Sequence, residues 1–468
     1  MSEYVRHVTR TQKLVLAIAV LASFVSFLDG TIVNVALPAI TRELGGGIVT
    51  QQWVVDAYLI TLGSLILVAG SVSDAYGRIR VIRIGLVLFG IASVAIAAAP
   101  DPTFLIIARG VQGIAGALLV PSSLALITSN FRGASQARAI GIWSGMTSAA
   151  MIAGPLIGGL FVDNLSWRFA FLINVLPIAV VLVLLVMLGQ KDVHRPGVTI
   201  DYLGAVLCVL GLGGPVYALI EQANLGWGNP AIYLSMGLGI IAFAGFLVRQ
   251  RFAKNPIMPL SLFTVRNFWT GNIATALVYG ALSLNGFVLS VFLQRDDGPN
   301  LPATLAGLAS LPITVMMVLL SSRVGALSGR FGPRMFMTVG PILMGLGALW
   351  YLFVNDDFNY WWQVLPGVLL FGLGIVTTVT PLTSAILGAI ETERSGIASA
   401  VNNAVSRVAG LIVIAMIAVI VGGEIDLRGF HQAAIVTAGL MILGGIVSFI
   451  GIRNPVKAGG DEEVVAGA

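Results

Sequence analysis

Charge is what this chain has least of. Of its 468 residues only 10% are Asp, Glu, Lys or Arg, while 57% are hydrophobic. Soluble domains carry roughly 25% charged residues. A water-facing multidomain architecture is therefore excluded, and a bilayer is the expected solvent. Cysteine is nearly absent. The lone Cys208 sits in an apolar run, which permits no intrachain disulfide and no cysteine metal cluster. The three histidines, His7, His194 and His431, lie far apart toward expected helix ends or tails, so no metal site is expected. No GxxxxGK[ST] phosphate loop and no nucleophile–base pairing stands out, which argues against an ATP-driven pump or an enzyme. The net charge is +5, but the basic residues fall between apolar runs rather than in a patch. No nucleic-acid partner is expected.

What the chain has is long apolar runs. About 20 such residues cross a bilayer as a helix, and a scan on that basis gives fourteen spans, from 14–40 to 432–452. The first run is longer than the 7–15 residues of a signal-peptide core and reads as a first transmembrane helix. Basic residues then set orientation. With both termini cytosolic, the inner connections hold Arg78, Arg80, Arg83, Arg132, Arg138, Lys191, Arg195, Arg249, Arg251, Lys254, Arg323, Arg330 and Arg334. The outer loops hold Arg42, Arg168, Arg295 and Arg428. A weak repeat adds a division. Gly70 to Arg80, after the second span, resembles Gly325 to Arg334, after the tenth. Paired six-helix units are a transporter architecture. The expected organisation is thus all-α: an N-terminal six-helix bundle (1–188), an inserted two-helix hairpin and linker (189–265), a C-terminal six-helix bundle (266–455) and a cytosolic tail (456–468).

Against this background a few polar residues stand out. Asp29 lies deep in the first span, roughly 22 Å from its cytosolic end at 1.5 Å per residue. A charge near a bilayer centre costs at least about 2.5–3.5 kcal/mol, so such an acid marks a functional site by default. Asp56, in the second span, is expected nearer the outer mouth, where it takes part in proton coupling or is simply hydrated. Arg109, in the fourth span, has Asp29 and Asp56 as candidate partners, and Gln112 and Gly116 share its face. The contacts of a charge relay and of a static ion pair are the same here. In the fifth span Gly141-xxx-Gly145 and Gly154-Pro155-xx-Gly158-Gly159 suggest a kinked packing seam. In the thirteenth, Gly396, Ser399, Asn403, Arg407 and Gly410 form a small-polar stripe that lines a cavity or joins helices. Asn34 points away from Asp29 and reads as packing. Glu221, near Trp227, reads as interfacial, and Asp296, Asp297, Asp356 and Asp357 as solvated.

These residues resemble the major facilitator superfamily, specifically its fourteen-helix branch of drug:proton antiporters. Leu28-Asp29-Gly30-Thr31-Ile32-Val33-Asn34-Val35-Ala36-Leu37-Pro38 is similar to that branch's first-helix motif. Gly70 to Arg80 is similar to the superfamily's signature loop, and Arg109-Gly-Val-Gln112-Gly113 to its fourth-helix motif. Gly154 to Gly159 is similar to the antiporter motif. Trp167 to Pro177 and Phe292-Leu293-Gln294 also fit. The resemblance implies alternating access of two bundles, with proton coupling at Asp29 supported by Arg109. The residue reading adds Asp56 to the coupling group and places Gln112, Asn403, Arg407 and Gln294 as candidates for a substrate cavity. Conformational motifs are carried by Gly70, Asp74, Gly77, Arg78, Gly154, Pro155, Gly158 and Gly159. The signature loop departs from the family at Ala75 and Ile79, where basic residues are usual, so a weaker latch is expected. Spans nine to fourteen lack acids, unlike specialists for polycations. The expected activity is proton-coupled export of hydrophobic or amphipathic small molecules. The alternatives are a dedicated exporter of one metabolite, antibiotic, lipid or siderophore, and a membrane receptor or scaffold that does not transport. No cofactor beyond the coupling proton is expected. The expected partners are small amphipathic substrates and membrane lipid, the expected state is a monomer, and the expected location is the bacterial inner membrane.

Overall fold

The computed structural model describes residues 9–189, 192, 200–253, 256–391 and 394–454. Among these, fourteen helices are long and apolar enough to cross a membrane. They are α1 (Arg10–Leu44), α2 (Gly47–Tyr76), α3 (Arg78–Ala97), α4 (Pro102–Asn130), α5 (Arg138–Asn164), α6 (Trp167–Leu188) and α7 (Tyr202–Leu225). The others are α8 (Pro230–Phe252), α9 (Arg266–Leu293), α10 (Ala303–Phe331), α11 (Pro333–Phe353), α12 (Tyr360–Leu387), α13 (Ile397–Ala415) and α14 (Leu427–Gly451). Helices satisfy every backbone group internally, which lipid cannot do. Their starts follow local chemistry. Thr9 and Gln12 make a reciprocal capping box at α1, and the Asp101 side chain accepts from Phe104 N ahead of Pro102 at α4.

The contacts reveal a repeat. α1 packs on α4, α5 and α6, and α9 packs on α12, α13 and α14. α2 meets α4 as α10 meets α12; α3 meets α4 and α6 as α11 meets α12 and α14. The six helices α9–α14 thus retrace α1–α6 in order. α7 and α8 pack on each other, and α7 also touches α2 and α13. The turns repeat as well. Gly77 (φ +98°) separates α2 from α3, and Gly332 (φ +87°) separates α10 from α11. Both use the left-handed region that glycine enters without a steric cost. After Gly77 the Asp192 carboxylate accepts from Ile79 N (2.8 Å) and Arg80 N (2.9 Å). After Gly332 the Asn454 side chain accepts from Arg334 N (3.1 Å). A residue following each bundle's last helix therefore caps that bundle's third.

The two sets join at one end. A single apolar core there unites Leu37, Ile40, Val54 and Phe171 with Phe287, Leu293, Ala306 and Phe430. Hydrogen bonds cross between the sets at this sealed end. Gln52 Nε2 donates to Ile414 O (2.7 Å) and Ala415 O (2.9 Å). The Asp163 carboxylate accepts from Ala303 N and Thr304 N, both at 2.8 Å. Ser290 Oγ donates to Asn34 O (3.1 Å). Toward the opposite end, which carries Arg78, Arg80, Arg330 and Arg334, the cores are separate: Ile18, Ile82 and Leu119 in one, Phe268, Met337 and Ile386 in the other. The molecule is closed at the sealed end.

Candidate functional site

Five helices meet around Asp29, which is fully buried at 0% exposure. α4 places Arg109 and Gln112 on one face, three residues apart. Arg109 Nη1 lies 2.6 Å from Asp29 Oδ2 and donates to Gln112 Oε1 at 2.6 Å. Gln112 Nε2 donates to Asp29 Oδ1 (2.9 Å), and so does Asn174 Nδ2 from α6 (2.8 Å). Ser93 Oγ on α3 accepts from Gln112 Nε2 at 3.0 Å. α2 contributes Val54 O, which accepts from Arg109 Nε at 2.9 Å, and the Tyr58 ring, 4.4 Å from the guanidinium. Taking two charges out of water costs several kcal/mol per ion, which direct pairing with good hydrogen bonds offsets. Asp29 has that environment: one arginine and two amides on its two oxygens. Any change in its charge must be felt at Arg109, and through Nε at α2.

The sequence pairs Arg109 with Asp29 or Asp56, and the structure selects Asp29. Asp56 is 0% exposed, and neither carboxylate oxygen has a partner among the described residues. It is not at a hydrated outer mouth, because helix packing covers it. Its neighbours follow from its register on α2. Gln52, one turn before it, bonds α13, and Gly63, two turns after, lies against Arg407 and Val408 of α13. Asp56 thus faces the α2–α13 contact between the two sets. An ionised carboxylate there, without a partner, costs several kcal/mol, and a proton removes that cost.

Other expected residues are dispersed. Gln112 is spent on Asp29, Ser93 and Arg109 and is 0% exposed, so it belongs to the buried cluster and not to a cavity wall. Gln294 ends α9 at the sealed end, buried, with Nε2 donating to Ser290 O; a cavity role is not supported there either. Asn403 and Arg407 are half-buried on α13. The Arg407 guanidinium lies 5.5 Å from the Phe27 ring centroid of α1. Gly410 abuts Ser283 of α9, where a Cβ would come within 2.6 Å of Oγ.

The two glycine pairs of α5 differ. Among the described residues nothing lies within 4 Å of a Cβ at Gly141 or Gly145, so no seam is seen at that pair. Gly154 and Gly158 lie on α1: a Cβ would come 2.1 Å from Thr31 Oγ1 at the first and 2.6 Å from Ile32 Cγ1 at the second. Gly159 lies on the start of α10, where a Cβ would be 2.5 Å from Thr304 Cα. Pro155 presents its carbonyl to Gly307. In the signature loop, Arg78 pairs with Asp74 (3.0 Å) and donates to Ala125 O of α4 (2.8 Å), while a Cβ at Gly70 would meet nothing within 4 Å. Glu221 accepts from Trp53 Nε1 at 2.7 Å, which ties α7 to α2. Sequence reasoning missed Ser93, Asn174, Asp192 and Asn454. For Asn174 there was a signal, an amide inside an apolar span.

Comparison with known proteins follows the same lines. A family model described as Major Facilitator Superfamily matches residues 19–414. The chain is 34% identical over 396 residues to the Multidrug resistance protein Stp of Mycobacterium tuberculosis (strain CDC 1551 / Oshkosh), covering 84% of this chain and 73% of that one. It is 33% identical over 411 residues to the Methylenomycin A resistance protein of Bacillus subtilis (strain 168), covering 87% of each. It is 30% identical over 473 residues to the Puromycin resistance protein pur8 of Streptomyces alboniger, covering 95% and 92%. Among solved structures, a peptide transporter POT in complex with sulfate superposes with a TM-score of 0.69 at 15% identity over 96% of this chain and 95% of that one. A D-xylose–proton symporter gives 0.67 at 13% identity over 94% and 98%. At these identities the structural likeness is one of fold.

Proposed function

Because the chain belongs to the major facilitator superfamily, an integral membrane transporter family, we propose that it exports hydrophobic or amphipathic small molecules by alternating access, driven by proton uptake. The observation that carries this reading is the Asp29 cluster. A carboxylate is held fully buried at mid-depth by Arg109, Gln112 and Asn174, beside the sealed contact between the two helix sets. Such a carboxylate can exchange its arginine for a proton, and the exchange releases Arg109 and its bond to Val54 O on α2. α2 in turn contacts α13 of the other set, so protonation at Asp29 has a route to the interface that must open. Asp56, on that same interface, is the second proton carrier of the proposal.

The relatives' names supply the substrate side: multidrug, methylenomycin A and puromycin resistance. The basic end faces the cytosol in this reading, since connections rich in Arg and Lys stay inside, and the membrane is the bacterial inner membrane. The molecule as described is then closed to the outside. One proton moving through 100 mV supplies about 2.3 kcal/mol, and 1.4 kcal/mol is a factor of ten, so a roughly 50-fold gradient of a neutral compound can be sustained. The test is uptake of a panel of neutral, cationic and acidic amphiphiles into everted membrane vesicles under an imposed proton gradient. Accumulation that a protonophore abolishes supports the reading. No accumulation of any compound overturns it.

A further inference from the structure

Arg109 and Arg407 both lie well inside apolar helices, and they are treated differently. Arg109 is buried and fully engaged by Asp29, Gln112 and Val54 O. Arg407 is half-buried, and among the described residues its guanidinium has no carboxylate or other acceptor; its neighbour is the Phe27 ring, 5.5 Å from its centre. Its Cβ lies against Gly63 of α2, and its helix, α13, packs on α9 as well as on α2. It therefore stands among α1, α2 and α9, where the two sets meet. The possible internal counter-charges are accounted for. Asp29 is committed to Arg109. Asp56 is on the neighbouring helix, but among the described residues its fully buried oxygens have no partner. The described acids of α9–α14 lie in the loops and helix ends, at Asp296, Asp297, Asp356, Asp357, Glu391, Glu424 and Asp426. An uncompensated arginine in a membrane interior is expensive and faces a water-filled space or a partner.

The side of α1 that carries Phe27 is not fully buried. Although central, the helix carries a half-exposed stripe of Phe24, Phe27, Thr31 and Asn34 at helical spacing. A guanidinium beside aromatic rings presents a planar fork of donors that matches a carboxylate in two parallel hydrogen bonds. The Phe27 ring offers an apolar wall to the rest of such a ligand.

We infer that Arg407 is the anchor for acidic amphiphiles: substrates carrying a carboxylate, or a comparably planar delocalised anion, beside an apolar body. This deepens the export reading and rests on it.

The test uses the full-length protein in nanodiscs. The probes are 2-naphthoate and cholate, each paired with its methyl ester, and binding is measured to wild type, Arg407→Gln, Arg407→Lys and Asp56→Asn. Charge-assisted pairing predicts that wild type prefers at least one acid over its ester by about ten-fold or more. Arg407→Gln brings that ratio close to one, and Arg407→Lys restores part of it. The inference is overturned if both esters bind as well as their acids, or if Arg407→Gln keeps the ratio. It is overturned also if Asp56→Asn and Arg407→Gln alter acids and esters identically, which would make Arg407 a counter-ion of Asp56. Vesicle uptake of the wider panel separates the two levels. Export of neutral or cationic compounds with no acid binding refutes the acid anchor alone, while export of nothing refutes the transport reading beneath it.

Discussion

Gly159 gives the sharpest structural prediction. A Cβ placed there would lie 2.5 Å from Thr304 Cα, 2.6 Å from Thr304 N and 2.7 Å from Ala303 O. All three are backbone atoms, which cannot rotate away. Carbon atoms reach favourable contact near ~3.5–4.0 Å, so α5 and the start of α10 must part by about 1 Å to admit even a methyl group. Forced overpacking costs about 1–3 kcal/mol, and Gly159→Val adds two methyls more. The closed arrangement should lose at least a ~5- to 150-fold share of its population to states in which the sealed end has opened. The Asp163 bonds to Ala303 N and Thr304 N lie in the same contact and would be strained with it. The assay is a spin-label distance between Arg42→Cys and Asp296→Cys in a Cys208→Ser background. These side chains are exposed, and their 3.5 Å pair is a surface ion pair worth about 0–1 kcal/mol, so labelling it perturbs little. Gly159→Val should shift the distribution to longer distances. Gly141→Val, on the same helix but with nothing within 4 Å, should not. Wild-type distances in Gly159→Val, or an equal shift in Gly141→Val, would refute the reasoning.

Further predictions follow from the caps and the cluster. Asp192→Ala removes two hydrogen bonds from the start of α3 and should cost about 0.5–2 kcal/mol, read as a lower thermal midpoint in detergent. Asn454→Ala removes two neutral bonds, one from Arg334 N (3.1 Å) and a long one to Phe331 O (3.4 Å), where Asp192 uses a charged carboxylate, and should lower it less; an equal effect would mean that the two turns are not held as described. Asn174→Ala deprives the Asp29 carboxylate of a 2.8 Å donor, a loss of about 1.5–3 kcal/mol for a bond to a charged group. A Tm unchanged within error would show that the amide does not support Asp29.

The acid–arginine pair was legible because a charge inside an apolar run needs a reason. Asp29 and Arg109 announced themselves, and the spacing of Gln112 put it beside them. Ser93 and Asn174 did not, since small polar residues are ordinary in membrane helices and only the fold brings them to one carboxylate. Asp56 stands out in the sequence, but its surroundings are not those that its depth suggests. Depth along a helix predicts hydration only where no other helix covers the site, and here α13 does. The motifs that hold Gln294 and Gln112 suggest a cavity wall, whereas the geometry puts one at the seal and the other in the cluster. The glycines of α5 make the same point. Gly141-xxx-Gly145 and Gly154-xxx-Gly158 are alike as strings, yet only the second pair has a backbone against it. The repeat of Gly77 and Gly332 was visible in sequence, while their capping partners, Asp192 and Asn454, lie more than 100 residues away and could not be paired with them by pattern.

The most direct test of the account is proton flux in proteoliposomes when an exported amphiphile is added under an imposed pH gradient. It should be measured for wild type, Asp29→Asn and Asp56→Asn, with a circular-dichroism melt to confirm that each variant is folded. Substrate-triggered flux is expected in wild type and none in folded Asp29→Asn. Flux in folded Asp29→Asn equal to wild type would contradict the central role given to Asp29.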